Sequence, residues 1–159
     1  MTTALHALEG SGVGRALRES LWGYPAVETL HIIGLAALFG SVLVVDLRLL
    51  GLARSLSVTR LARLALPWTV GAFLLVVLTG TLLFTAHAED FLANRVFLLK
   101  MGLILAAGVN AGLLHAGALA KVGPWDTNAP SPPRVRVAAA LSLALWPCVI
   151  ACGRLLAYT

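Results

Sequence analysis

Residues 22–51, WGYPAVETLHIIGLAALFGSVLVVDLRLLG, decide how the rest of the chain is read. The run is apolar and longer than the roughly 20 residues a helix needs to cross a bilayer. It nevertheless carries Glu28, His31 and Asp46, followed by Arg48. An ionisable group inside a spanning helix costs roughly a few kcal/mol, so it normally faces a partner, a cofactor or water. At about 100° per residue, Glu28 and Asp46 fall on one line down the helix and His31 lies about 60° from it. Gly34, Leu38, Val42 and Leu49 continue the His31 face. The polar groups therefore share a side, and that side is expected to face other helices. The plain reading is that they cap and pin a bundle near the two interfaces. The sharper one is that His31 serves a bound cofactor.

Composition agrees with the membrane reading. Of 159 residues, 59% are hydrophobic and 12% charged, against about 25% charged in soluble domains. The length suits one unit of four spans with no separate soluble domain. The net charge of +5 is spread over helix ends and loops rather than gathered in a patch, so no nucleic-acid partner is expected. Cys148 and Cys152 lie four apart on one apolar segment, a spacing that puts both on one helix face. A structural disulfide is not expected. The first 20 residues lack the charged and apolar regions of a cleavable signal, so the first span is expected to act as its own uncleaved insertion signal.

Working outward from the first span, about 25–50, residues 11–22 read as a short helix lying on the membrane surface. Val13, Leu17 and Leu21 recur at four-residue spacing, and Trp22 and Tyr24 suit the interfacial aromatic belt. Pro67 with Trp68 is expected to open the second span, about 67–86, which ends in a polar turn with His87, Glu89 and Asp90. The third, about 96–119, carries Lys100, Asn110 and His115. Small residues around Gly108 and Gly112, beside Asn110, suit close helix packing or dimerisation. A loop rich in proline and turn formers follows from Lys121, then the fourth span, about 137–158, with Trp146-Pro147 at mid-depth, where a kink is expected. The fold class is all-α: an integral membrane four-helix up-down-up-down bundle with a short N-terminal interfacial helix. Residues 1–159 form a single transmembrane domain.

Basic residues set the orientation. The first and third loops hold Arg48, Arg54, Arg60, Arg63, Lys121, Arg134 and Arg136, and the other side holds Arg15, Arg18 and Arg95. The positive-inside rule puts those loops in the cytoplasm. Both termini then lie on the periplasmic side of a bacterial inner membrane.

Depth decides which polar groups can meet. His31 lies about 9 Å below the start of the first span, at 1.5 Å per residue, with Lys100 at similar depth. Arg154 and Cys152 approach from the fourth span and His87 ends the second, about two turns shallower. Glu28 and Tyr24 rim this outer cluster. Asp46, Arg48 and His115 lie near the inner face, so His31 and His115 cannot share a metal. Asp46 and Arg48 read as an ion pair or loop anchor. Imidazoles near cations suit b-type haem, because neutral histidine ligates iron while Lys or Arg pairs with the propionates. His31 is the first ligand candidate and His87 the second. Lys100 and Arg154 would neutralise the propionates. Copper held by histidine with the Cys148/Cys152 pair is the alternative.

The run W-x-Y-P-x-V-E-x-x-x-H-x-x-G, from Trp22 to Gly34, resembles a group of small bacterial four-span membrane proteins of uncharacterised function. So do Asp46 to Gly51 and Phe97-Leu98-Leu99-Lys100. More distantly, the chain is similar to the copper-resistance D membrane proteins and the haem-containing membrane protoporphyrinogen oxidases. Those families also place a histidine in an early span and an aromatic-x-x-Lys pattern in a later one. The oxidase resemblance implies that His31 is the haem ligand candidate and Lys100 a supporting polar residue, although the fuller histidine and arginine sets of those families are missing. The expected function is a membrane-bound haem b protein that carries electrons between a membrane donor such as quinol and a periplasmic redox partner, with membrane oxidoreductase as the enzyme class it would fall in. The other expectations are a copper-handling protein or a cofactor-free accessory subunit, acting as a homo-oligomer or within a larger complex.

Overall fold

A computed structural model of the chain describes residues 2–119 and 122–158; Lys121, one of the basic residues counted above, lies outside them. The described residues are helical almost throughout. In order, α1 is Thr2–Glu9, α2 Gly12–Glu19, α3 Gly23–Leu50, α4 Val58–Ala86, α5 Ala88–Ala93, α6 Arg95–Leu113 and α7 Pro133–Leu155. A π-turn at Leu114–Ala118 extends α6, and a 3-10 turn at Gly123–Trp125 lies in the following loop. Helices α3, α4, α6 with its first extension, and α7 are each long and apolar enough to span a membrane. Their outward faces are apolar too. Ile32, Leu74, Leu78, Leu105 and Val137 are each 59–69% exposed, a band too large for a water-facing surface and one that lipid would cover.

The spans form two hairpins, α3 with α4 and α6 with α7, joined chiefly along α3 and α7. This is the expected four-helix bundle. Two boundaries differ from the sequence expectation. The second span does not open at Pro67: α4 starts at Val58 and runs through Pro67. Proline is a good helix starter, but a stronger signal lies ten residues earlier. There the Ser57 hydroxyl accepts from the Arg60 N–H at 3.1 Å and caps the helix. Arg60 and Arg63 therefore ride on the first turns of α4. The fourth span likewise begins at Pro133 and continues as helix through Pro147. At the N-terminus, a helix is present as α2 within the stretch expected to be helical, and α1 precedes it unpredicted.

The largest buried cluster, Leu49, Val58, Leu114, Val122, Trp125, Val135 and Ala139, sits at the end that carries the α3–α4 and α6–α7 loops. Arg48, 2% exposed, organises it. Its Nε donates to the Leu56 carbonyl at 2.7 Å, and its Nη2 to the carbonyls of Arg54 and Asp126 at 3.2 and 3.0 Å. Gly51, at φ 112°, turns the chain back so that these carbonyls face the guanidinium. Asp126 returns the tie. Its carboxylate accepts from the Ser57 hydroxyl at 2.7 Å and the Thr59 N–H at 2.8 Å, and its carbonyl from the Val58 N–H at 3.1 Å. Arg48 is thus the loop anchor that its position implied, but its partners are carbonyls rather than Asp46.

The other end is held differently. Phe84 of α4, Phe91 of α5 and Phe97 of α6 stack with centroids 5.3–6.3 Å apart. The Arg18 guanidinium donates to the Ala86 carbonyl at 2.8 Å and the Glu9 carbonyl at 2.6 Å, covering the C-termini of α4 and α1 together. These bonds seat the N-terminal arm on the bundle.

Two outcomes follow at the loop end. Replacing Arg48 by Ala leaves three carbonyls without their donor and is expected to cost about 3 kcal/mol, read as a lowered unfolding temperature in detergent micelles, with exposed Arg63→Ala as the unaffected control. The bonds from the Thr59 N–H and then the Ser57 hydroxyl hold the Asp126 carboxyl below its ordinary value near 3.8. A depressed carboxyl stabilises the fold at all pH values above that ordinary value and loses its contribution as pH falls through the depressed one. Stability measured against pH should therefore show an acid-side fall that is missing in Asp126→Asn.

Candidate functional site

The polar side chains of α3 separate into three places. Glu28, at the terminal end, is exposed, although it shares a helical line with buried Asp46. The first turns of α3 have few neighbours, so a common line does not mean a common environment. Asp46 is 4% exposed and faces Ser142 of α7, with His115 within electrostatic range. Its Oδ2 receives no hydrogen bond among the described residues. His115 lies on the π-turn, and its Nδ1 is 2.9 Å from the Ala111 carbonyl. Asn110 donates to the Ala138 carbonyl at 2.9 Å, an interhelical bond of the kind its position in the third span implied.

His31 lies between these ends, packed against α4 and within electrostatic range of Lys100 on α6. Its Nδ1 is 2.8 Å from the Thr79 hydroxyl of α4. Thr79 is 3% exposed, and its Oγ1 lies 2.7 Å from the Leu75 carbonyl one turn back. A hydroxyl has one proton, and here the carbonyl takes it. Thr79 must therefore accept from His31, which places the imidazole proton on Nδ1. The Val76 backbone is the ring's other polar neighbour, and among the described residues no side chain hydrogen-bonds Nε2. A histidine that ligates a metal normally has its other nitrogen oriented in this way by an outer partner.

Two further spans approach. Lys100 of α6 is the charged group acting on the imidazole, and its own electrostatic neighbour is Cys152 of α7. Two glycines make room for these side chains. A Cβ at Gly80 would stand 3.2 Å from His31 Cε1, and one at Gly153 would stand 3.3 Å from Lys100 Nζ. Among the described residues no carboxylate forms an ion pair with Lys100.

The other residues singled out in the sequence lie elsewhere. His87 caps α4 and packs edge-on against Tyr24, with centroids 5.7 Å apart, and near Phe91. Its Nδ1 is 3.7 Å from Asp90. It lines a cleft of about 630 Å³ with Tyr24, Phe91, Asn94 and Leu156. Thr79 and His87 are eight positions apart on α4, about 12 Å of rise. One ion binds two imidazoles at about 2 Å each, within about 4 Å of one another. His31 and His87 are therefore not brought together. Arg154 is exposed and occupied with Tyr158, hydrogen-bonding its hydroxyl at 2.5 Å and lying over its ring. Cys148 is exposed and Cys152 buried, and both are free thiols. Thr79, Gly80 and Gly153 were not singled out from sequence. A hydroxyl and two glycines within apolar runs carry no signal until the helices are packed.

The chain is thus a multi-pass membrane protein with four spans, in which His31 of α3 is held by Thr79 of α4 and lies within electrostatic range of Lys100 of α6. It belongs to a family of unknown function, DUF6644, whose model matches residues 22–159 and so leaves α1 and α2 outside the match. That match carries the resemblance to uncharacterised small membrane proteins and nothing of the copper-resistance D or protoporphyrinogen oxidase families. No curated protein and no solved structure matches the chain.

The hydroxyl network makes a checkable statement. Histidine ¹⁵N chemical shifts should report His31 as the Nδ1-protonated tautomer, and Thr79→Val should release it to a mixture. An unchanged signal in Thr79→Val would remove the hydroxyl from any role in fixing the ring.

Proposed function

We propose that the chain is a haem b protein of the bacterial inner membrane, relaying electrons between a membrane donor such as quinol and a redox partner on the periplasmic side. The observation that carries this reading is His31, oriented by the Thr79 hydroxyl and within electrostatic range of Lys100, which has no carboxylate partner among the described residues. The residue types present suit a haem held by one histidine: His31 would hold the iron and Lys100 would pair with a propionate. Bound haem would supply one-electron redox chemistry. The separation of His31 from His87 argues against a pair of axial histidines, and the Arg154–Tyr158 pairing leaves Lys100 as the better propionate partner.

The chain's own part is orientation and charge. Thr79 keeps the ring in one tautomer, Gly80 gives it room, and Lys100 provides a cation in a region that solvates ions poorly. Arg48, Arg54, Arg60, Arg63, Arg134 and Arg136 gather at the loop end, which supports a cytoplasmic loop end and periplasmic termini. His87 and its cleft then lie at the periplasmic face, where a partner could approach.

A reduced-minus-oxidised visible spectrum of the purified protein tests this. A haem b signal lost in His31→Ala, lowered about tenfold or more in Lys100→Ala and retained in His87→Ala is the expected result. A colourless protein after expression with ample haem would sink the proposal.

A further inference from the structure

The terminal end holds a second set of chemistry-bearing side chains, apart from His31. His6 and Glu9 lie three positions apart on α1, a spacing that aims both side chains to one face. Glu89, in the first turn of α5, meets them from the bundle. Each of the three offers a ligand atom, and these atoms all lie within 4.8 Å of one another. Among the described residues this is the one such group of three.

Three details distinguish the group from a cluster of surface acids. First, it contains an imidazole as well as two carboxylates. Second, Glu89 Oε1 is shielded from solvent and lies 3.1 Å from His6 Nε2, yet it accepts no hydrogen bond. Two ligand atoms at this separation, an ion pair whenever His6 is protonated, match one edge of a zinc tetrahedron, about 3.3 Å for bonds near 2.0–2.1 Å. Third, the local cation does not neutralise the carboxylates. Arg18 spends both arms on the Ala86 and Glu9 carbonyls. Glu9 Oε1 already takes the Glu89 N–H at 2.9 Å, so the two acids are held together by the backbone itself. Two carboxylates beside one imidazole leave negative charge that a divalent ion would balance.

We infer that His6, Glu9 and Glu89 form a binding site for a zinc-class divalent ion, with water completing the coordination. Calcium and magnesium take oxygen ligands and gain little from an imidazole, whereas one nitrogen and two oxygens suit zinc. The site joins the N-terminal helix to α5, whose next residues line the His87 cleft. Metal binding therefore locks the arm onto the end of the bundle where that cleft opens.

The test is a zinc titration of the tag-free full-length protein in detergent, in competition with a chromophoric zinc indicator. One zinc ion per chain is expected. His6→Ala and Glu89→Gln should each weaken binding about tenfold or more, and His87→Ala and His115→Ala should leave it unchanged. Zinc should also slow proteolysis at the Gly10–Ser11 turn in the wild-type protein but not in His6→Ala. His6 is exposed, so its removal should leave the fold intact. If Glu89→Gln lowers the zinc-free unfolding temperature, Glu9→Gln replaces it in the comparison. Wild-type zinc affinity in His6→Ala, or zinc sensitivity that maps to His87 or His115, would overturn the site. Neither outcome bears on the haem spectrum, so the two readings stand or fall separately.

Discussion

The guanidinium of Arg48, spread over carbonyls from two loops, fixes how the two hairpins meet. An arginine so deeply buried would be costly if any donor were wasted on apolar surroundings. Here Nε and Nη2 reach Leu56, Arg54 and Asp126, Nη1 alone is left buried without a partner among the described residues, and the Asp126 carboxylate in turn caps α4. One cation and one carboxylate therefore close both loops without touching each other. The Phe84, Phe91 and Phe97 stack ties α4 to α6 at the opposite end. With the hairpins tied at both ends, the side chains between them have little freedom in depth. That matters because His31 and Thr79 belong to one hairpin and Lys100 and Gly153 to the other. The histidine and the cation meet only because the hairpins are held in register.

Much of this was legible in the chain before any coordinates. Hydropathy marks four spans because lipid admits only backbone that bonds to itself, and the 3.6-residue period put His31 and Asp46 on the inward side of α3. Arg48 could be read as an anchor from its place at a helix end. The errors have a common cause. Pro67 is a valid local start signal, but Ser57 and Asp126 form a better cap together, and Asp126 is 69 positions further on. Glu28 was placed by helical phase alone, which cannot tell where neighbouring helices end. Thr79, Gly80 and Gly153 gain meaning only from what packs against them. The depth mismatch of His31 and His87 could be read from helical rise, and the structure keeps it.

The hydroxyls of the spans follow one rule, and His31 is where it stops. Thr29, Thr69 and Thr81 each return their proton to a carbonyl one turn back, to Pro25, Ala65 and Val77. Ser41 donates to Leu38 and also meets Thr69 across the α3–α4 seam. Such back-bonding lets a hydroxyl sit in a helix without an unsatisfied donor. Thr79 does the same and then has a lone pair to spare, which it gives to the imidazole. The network ends on the imidazole, which the rule itself does not require. In a region without water such an end is not needed for packing, because a valine and a leucine would fill the same space without it.

Lys100 makes the complementary case from the side of charge. Its stem lies along α6 and its ammonium rests over Gly153, in a segment where an isolated cation is costly. A lysine kept only to snorkel would turn toward the nearest interface, where water could solvate it. This one turns instead toward α7 and toward His31, and its nearby groups are a thiol and an imidazole rather than a carboxylate. A half-buried cation with no carboxylate partner among the described residues is compensated most simply by an anion brought from outside the chain. A lone pair suited to a metal and a cation suited to an acid, held on different hairpins at one level, describe the two functional ends of a single ligand. An amphipathic cofactor with a metal centre and carboxylate arms has those two ends, and that match, more than either residue alone, is why the haem reading fits this bundle.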